Sequence, residues 1–101
     1  MRTSEITPAI FASLGLSQYE SRLGKSPENR ELLFLIDGFG AQTLDDFPEL
    51  IPNIMSGKSF GDVITSFPST TSTALATLMT GAMPNEHGML GYTVRVPHSD
   101  R

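Results

Sequence analysis

The short apolar run Glu31–Ile36, ELLFLI, is the feature that most constrains what this chain can fold into. A single glutamate is followed by large hydrophobic side chains only, without the alternation of a strand that has one solvated face. Such a run is typical of a central strand that is covered on both faces in a parallel sheet. It stops at Asp37-Gly38-Phe39-Gly40, where the glycines allow a sharp turn. The run therefore predicts an α/β arrangement with a carboxylate at the end of its first strand.

The rest of the chain continues the alternation of strand and helix. The predicted elements are helix Pro8–Leu16, strand Glu31–Ile36, helix Ala41–Met55 interrupted by Pro48 and Pro52, strand Asp62–Phe67, helix Thr71–Thr80 and strand Tyr92–Val96. This order predicts an α/β fold with a partly parallel sheet flanked by helices. It also predicts two parts, an N-terminal helix and linker over residues 1–30 and an incomplete α/β domain over residues 31–101.

Two of these helices carry further signals. Thr7 is a candidate N-cap for the first, with Pro8 at its first helical position. In the helix Thr71–Thr80, the pattern predicts an apolar face and a separate threonine face, and Gly81 suits the C-terminal end. The apolar face consists of Leu75, Leu78 and Met79, and the threonine face of Thr73, Thr77 and Thr80.

Composition narrows the classes of partner. The chain has 101 residues, of which 39% are hydrophobic and 18% charged, so it can form one small globular domain. The net charge is -4 and the basic residues are scattered, which argues against a nucleic-acid polymer or an anionic membrane as partner. There is no cysteine, which excludes disulfides and thiolate metal sites, and no run approaches the length of a membrane span. We expect a cytoplasmic protein, because no signal peptide is evident, and an anionic substrate would need a metal ion or backbone N–H groups.

An unbroken run of hydroxyl side chains, Ser69–Thr73, lies where the second predicted strand leads into a helix. Free N–H groups at a helix start favour a phosphate, and a Ser or Thr there becomes a nucleophile when a base or a metal lowers its pKa. The alternative is an N-cap with solvated turn hydroxyls. A cap uses only one hydroxyl, so the length of the run favours a further role.

Asp37 and His87 are the other candidates for chemistry. Asp37 could be an oxygen ligand for a divalent metal, although most Asp-Gly pairs are turns. His87 could also bind a metal, but a lone loop histidine is more often a hydrogen-bonding anchor. Since ligands of open α/β sheets bind beyond the carboxyl ends of the strands, Asp37 and the hydroxyl run are expected at one edge.

The order of these signals is similar to that of a known family. An apolar strand ends in Asp-Gly-Phe-Gly, and then come Pro-Asn-Ile at 52–54, the hydroxyl run, Met-Thr-Gly at 79–81, Pro84 and Glu-His-Gly at 86–88. Over roughly Leu32 to Pro97 the chain resembles the N-terminal part of the alkaline phosphatase superfamily, and in particular its type I phosphodiesterase/nucleotide pyrophosphatase branch. The resemblance implies a metal-dependent phosphoester hydrolase with a two-metal site, usually zinc, and a small phosphorylated substrate.

The resemblance also implies roles for individual residues. Asp37 matches the strand-end ligand of one metal ion. Thr71, ten residues before Gly81, matches the nucleophile, which binds the same ion and forms a phosphothreonine intermediate. The backbone N–H of Ser72 would contact the phosphate, and Thr70 would line its pocket. Aligning on Phe67-Pro68 instead would choose Ser66 as nucleophile, with Thr70 as a near neighbour; the distance from Gly81 favours Thr71.

Two departures from the family pattern affect the prediction. The phosphate-contacting Asn beyond His-Gly has no match, and Gly91 and Tyr92 occupy that region. The ligands of a second metal site, far downstream in the family, are not among these residues. We therefore expect an N-terminal fragment with little or no turnover alone. The alternatives are a non-catalytic α/β protein that self-associates through its sheet edges, and a phosphomonoesterase, phosphonate hydrolase or sulfatase-like relative.

Overall fold

The computed structural model describes residues 1–16, 18–19 and 30–98. Its helices are α1 (Ile6–Ser13), α2 (Ala41–Asp46), α3 (Pro52–Met55), α4 (Thr71–Thr80) and α5 (Pro84–His87), with 3₁₀ turns at Thr3–Glu5 and Pro48–Leu50. The chain divides into two units, which we call the terminal unit (Met1–Glu31 with Asp62–Arg101) and the central unit (Leu32–Gly61). Most of the predicted linker, residues 17 and 20–29, lies outside the described residues. In the part of the chain that is described, no helix combines the length and apolar character needed to cross a membrane.

The predicted partly parallel sheet is wrong, because the described residues contain no β-strand. A strand exists only where a second backbone segment satisfies its N–H and C=O groups. Leu32–Ile36 has no such partner among the described residues, and Tyr92–Val96 does not form a strand either. The second predicted strand makes one isolated parallel bridge, between Ile64 and Arg2.

That bridge joins the N-terminus to the segment that precedes α4. The Thr3 N–H donates to the Ile64 carbonyl at 2.9 Å, and the Ile64 N–H donates to the Met1 carbonyl at 3.0 Å. The Thr3 hydroxyl donates to the same Ile64 carbonyl at 3.1 Å. The pairing thus fixes the start of the chain beside the segment that leads to the hydroxyl run.

The predicted helices are largely confirmed. Helix α4 has the predicted bounds, and Gly81 ends it in the left-handed conformation at φ 70°. The predicted interruptions at Pro48 and Pro52 separate α2, a 3₁₀ turn and α3. The predicted cap of α1 is wrong: the helix begins at Ile6, and the Thr7 hydroxyl donates to the Leu78 carbonyl of α4.

The terminal unit is built where α4 packs against the 3₁₀ turn Thr3–Glu5, α1 and α5. A Cβ added at Gly81 would lie only 2.6 Å from Cγ of Pro8, so the end of α4 closely approaches the start of α1. Ala9 and Leu78 are the buried hydrophobic residues of the described chain. Every buried residue that the structure describes belongs to this unit.

The predicted faces of α4 are only partly correct. Leu78 is buried, but Leu75 and Met79 are exposed. The residues buried most completely are instead Thr73 and Thr77, at 0% and 1% exposure. Helix α4 therefore turns Thr73 and Thr77 inward beside Leu78, whereas Thr80 of the predicted threonine face is exposed. The hydroxyl of Thr73 accepts from Thr70, and that of Thr77 donates to the Thr73 carbonyl.

The central unit has no buried residue. Its helices α2 and α3 each contact the 3₁₀ turn Pro48–Leu50. The apolar segment Leu32–Ile36 is exposed along its whole length, with Leu32 at 77% and Phe34 at 75%. The segment expected to be the central strand is thus the most exposed apolar stretch of this unit.

Candidate functional site

The start of α4 presents Thr71 to solvent. Thr70 is the N-cap residue with an extended backbone (φ -64°, ψ 151°), and its carbonyl accepts the first helical hydrogen bond, from the Ala74 N–H at 2.8 Å. Thr71 is therefore the first helical residue, and its side chain is exposed. Since the first N–H groups of any helix have no partner within the helix, Thr71 stands where an anion is favoured.

The hydroxyl of Thr70 is directed inward. It donates to Oγ1 of the buried Thr73 at 3.0 Å. No side chain caps α4, so the prediction that one hydroxyl of the run serves as cap is wrong. The side chain of Thr70 links the start of the helix to its buried threonine face instead.

Ser72 carries a buried hydroxyl without a partner. Its Oγ is shielded from solvent and makes no hydrogen bond with any described residue. A buried hydroxyl that lacks a partner destabilises a protein by about 1–3 kcal/mol. Such a group is uncommon, and it lies directly after Thr71, where its backbone N–H was expected to contact a phosphate.

Tyr92, in the segment that follows α5, contacts Thr71 at the start of α4. Its phenolic hydroxyl donates to Oγ1 of Thr71 at 3.3 Å. This distance is longer than that of a strong O–H···O bond. Both residues are exposed, so the pair is open to solvent.

His87 anchors the loop that follows α5. Its Nδ1 accepts the Met89 N–H at 3.0 Å, so Nε2 carries the proton and donates to Oγ1 of Thr77 at 2.9 Å. The Thr77 hydroxyl in turn donates to the Thr73 carbonyl at 2.9 Å. With both ring nitrogens engaged, the prediction that His87 is a hydrogen-bonding loop anchor is confirmed.

Asp37 lies in the central unit, at a turn followed by Gly38 in the left-handed conformation (φ 68°). Its carboxylate is exposed and forms no hydrogen bond to another described residue. Asp37 thus has the setting of a turn residue with an open carboxylate. The structure groups Thr70, Thr71, Ser72 and Tyr92 in the terminal unit, whereas Asp37 belongs to the other unit.

The residues described do not by themselves make a metal centre. Nowhere in residues 1–16, 18–19 and 30–98 do three His, Asp or Glu side chains lie together as a ligand set. A zinc site with protein ligands needs at least three such donors. One open carboxylate and one hydroxyl therefore do not complete the site that the family pattern implies.

The sequence did not indicate Tyr92 as part of the site. The sequence pattern predicts that Tyr92 begins a strand, in the region where the family has its phosphate-contacting Asn. The contact with Thr71 depends on how the loop after α5 returns to the start of α4, across 21 residues of sequence. No local periodicity or motif encodes such a contact.

The central unit contains a separate concave surface of about 400 Å³. It lies between α2 and the segment after α3, with Leu44, Ile54 and Met55 as apolar walls and Asp45 and Lys58 as charged ones. None of the predicted site residues lines it. The candidate site is therefore the start of α4 in the terminal unit, with Thr70, Thr71, Ser72 and Tyr92.

Comparison with known proteins identifies a family. The family model described as type I phosphodiesterase / nucleotide pyrophosphatase matches residues 32–101. No curated protein and no solved structure matches the chain.

Proposed function

This chain belongs to the type I phosphodiesterase/nucleotide pyrophosphatase family, a family of metal-dependent hydrolases, and we propose that Thr71 is the nucleophile with which it attacks phosphate esters. The family gives the class of activity, hydrolysis of the phosphodiester or pyrophosphate type. The observation that carries the choice of residue is the exposed hydroxyl of Thr71 at the first position of α4, with the phenol of Tyr92 beside it.

The two competing hydroxyls are less suited to the role. Ser66 is buried at 6% exposure, and its Oγ donates to the Pro68 carbonyl. The hydroxyl of Thr70 is engaged with buried Thr73. A nucleophile must be accessible to the phosphorus atom, and of these three residues Thr71 is the exposed one.

The proposed reaction has two steps. First, Oγ1 of Thr71 bonds to phosphorus and loses its proton, while the bond from phosphorus to the leaving oxygen breaks and that oxygen takes up a proton. Water then attacks the phosphothreonine, which restores the Thr71 hydroxyl and releases the second product. The sum is the addition of one water across one ester bond, and each displacement needs groups that stabilise negative charge.

The cofactor belongs to the proposal as well. We propose that Asp37 and Thr71 are ligands of a divalent metal ion, and that the complete enzyme holds two zinc ions. A bound metal ion would stabilise an alkoxide at neutral pH. Because the described residues do not assemble three ligands, we expect weak metal binding and little or no turnover from these 101 residues alone.

The proposed substrate is a small phosphorylated molecule. The net charge of -4 disfavours a nucleic-acid polymer or an anionic membrane as partner. A cytoplasmic location remains a prediction from the sequence.

Covalent labelling tests Thr71 without requiring turnover. An alkyl fluorophosphonate is incubated with the chain, with and without zinc. Attack by Oγ1 forms an O–P bond and breaks the P–F bond, with fluoride leaving and the hydroxyl proton passing to solvent. Peptide mass spectrometry is expected to find the adduct on Thr71, lost in Thr71→Ala and retained in Thr80→Ala, an exposed threonine of the same helix. An adduct on Ser66, or undiminished labelling of Thr71→Ala, would refute the assignment.

A second candidate function, non-catalytic self-association, is favoured by the exposed segment Leu32–Ile36. The expected sheet edges do not exist among the described residues, but this exposed apolar segment can pair with a second copy. An in-register parallel pair would place each Asp37 carboxylate beside its counterpart, which an antiparallel pair with Leu33 opposite Phe34 avoids. The charges therefore favour the antiparallel dimer.

Sedimentation equilibrium over a range of chain concentrations tests this candidate. Phe34→Lys is expected to abolish association by placing a charge within the segment, whereas Phe47→Lys, an exposed phenylalanine of the same unit, should leave it unchanged. A wild-type chain that stays monomeric at all concentrations would exclude the second candidate. The labelling of Thr71 does not depend on this result.

A further inference from the structure

We propose that Tyr92 is a catalytic residue that stabilises the oxygen of the Thr71 nucleophile, an inference that rests on the proposed function of Thr71. The phenolic oxygen lies 3.3 Å from Oγ1, where its O–H group can donate to that atom. Oγ1 gains negative charge whenever it has lost its proton or its bond to phosphorus. A donor held at that oxygen favours the charged form over the neutral one.

The direction of the hydrogen bond suits both steps. In the first, Tyr92 supplies a proton donor to one lone pair of Oγ1, so that the hydroxyl proton of Thr71 is free to leave in another direction. In the second step, the Oγ1–P bond breaks and its electron pair stays on Oγ1. The same phenolic O–H group then donates a hydrogen bond to this negatively charged oxygen. The phenol keeps its own proton throughout, so neither step needs another co-reactant.

Exposure argues against a packing role for Tyr92. The residue is 75% exposed, so its ring contributes little to the core. The hydrogen bond to Thr71 is therefore the contact by which Tyr92 is held at this place. Removing an exposed hydroxyl while keeping the ring should leave stability nearly unchanged.

The start of the loop that carries Tyr92, directly after α5, is fixed by hydrogen bonds. Helix α5 ends at Gly88 in the left-handed conformation (φ 74°), and His87 holds the next residue through the Met89 N–H. The other ring nitrogen of His87 is hydrogen-bonded to Thr77 of α4. The loop that carries Tyr92 thus starts from a point fixed on the same helix that begins with Thr71.

The first test is the rate of fluorophosphonate labelling of Thr71. We expect Tyr92→Phe to lower it about 10- to 100-fold, less than the roughly 100- to 1000-fold of a buried oxyanion donor, because Tyr92 is exposed and water can partly replace it. Tyr19→Phe is the matched control, since the described contact of Tyr19 is a ring pair with Phe11 at 5.7 Å. Urea unfolding should give the same midpoint for both variants and the wild type.

A second readout separates the donor from a structural role. Tyr19 and Tyr92 are the two tyrosines of the chain, so 3-fluorotyrosine incorporated into the Tyr19→Phe variant marks Tyr92 alone. Fluorine lowers the pKa of the phenol. The falling, alkaline limb of the pH–rate profile for labelling should therefore move to lower pH, since the donor loses its proton earlier, and the single fluorine resonance should shift when Thr71 is labelled.

The outcomes distinguish the two proposals. If Thr71→Ala loses the adduct while Tyr92→Phe reacts at the wild-type rate, Thr71 remains the nucleophile and the role of Tyr92 is refuted. An alkaline limb that does not move with fluorination also refutes it. If Thr71→Ala is labelled as the wild type is, the proposed function itself fails.

Discussion

The two units of this chain differ in which side chains they bury. The terminal unit buries Thr73 and Thr77 almost completely. The central unit leaves Leu32 and Phe34 about three-quarters exposed, at 77% and 75%. The most apolar stretch is thus exposed, while hydroxyl side chains fill the interior of the other unit.

The difference shows that burial follows from available partners more than from residue type. A threonine on a helix can donate to a carbonyl one turn back, so its polar group is satisfied wherever the helix packs. Thr77 does this with the Thr73 carbonyl and also bonds His87. The segment Leu32–Ile36 is not helical, so its backbone has no partner within the segment and is buried only when another segment pairs with it.

The largest effect is expected where the terminal unit is packed most closely. Gly81→Ala introduces a Cβ 2.6 Å from Cγ of Pro8 at a residue with φ 70°. Left-handed strain of about 1–2 kcal/mol and overpacking of about 1–3 kcal/mol should together lower the free energy of unfolding by about 2–5 kcal/mol. Urea unfolding followed by circular dichroism measures the loss.

Gly38→Ala in the central unit is the control for this prediction. Gly38 has a similar φ of 68°, but nothing lies within 4 Å of an added Cβ. Only the backbone strain should remain, so the loss should be at most about 2 kcal/mol. Equal losses for the two variants would mean that the Cβ added at Gly81 is accommodated without overpacking against Pro8.

The sequence predicts local structure well where one residue determines it. Gly81 ends α4 because glycine adopts positive φ without strain, and Pro48 and Pro52 interrupt a helical stretch because proline lacks an N–H. Both signals act within one turn of backbone. The bounds of α4 and the breaks after α2 could therefore be predicted from the sequence.

The features that the sequence did not predict all depend on tertiary contacts. The run Leu32–Ile36 predicts a strand only if a neighbouring strand exists, and the described residues supply none. Thr70 has the residue type of an N-cap, but its hydroxyl instead donates to buried Thr73. Tyr92 joins the candidate site through the path of a loop. Each of these outcomes depends on residues distant in sequence, so local patterns could not determine them.

An intermediate effect is expected for the polar interior of the terminal unit. Thr77→Val keeps the shape of the side chain but removes its hydrogen bonds to the Thr73 carbonyl and to Nε2 of His87. The loss should be about 1–3 kcal/mol, because both former partners stay partly buried. Nitrogen NMR should show a shifted Nε2 resonance for His87 but the same tautomer, because Nδ1 still accepts the Met89 N–H.

Thr80→Val is the matched control for Thr77. Thr80 lies on the same helix and bonds the Ala76 carbonyl, but its side chain is exposed. Water can replace the lost partner, so we expect a change below about 0.5 kcal/mol. A loss as large as that of Thr77→Val would show that the contrast between buried and exposed hydroxyls does not determine stability here.

The smallest effect is expected in the central unit, at the contact of Lys58 with Phe60. The ammonium nitrogen lies 5.0 Å from the centre of the ring, within the range of a cation–π interaction. Both side chains are exposed, so water competes for the cation and Lys58→Met should change the free energy of unfolding by about 0.5 kcal/mol or less. Raising the salt concentration should leave the variant and the wild type nearly equal, because salt screens exposed charges. A loss above about 1.5 kcal/mol would contradict the description of the central unit as exposed. A cation–π contact reaches that size only when the two groups are shielded from water.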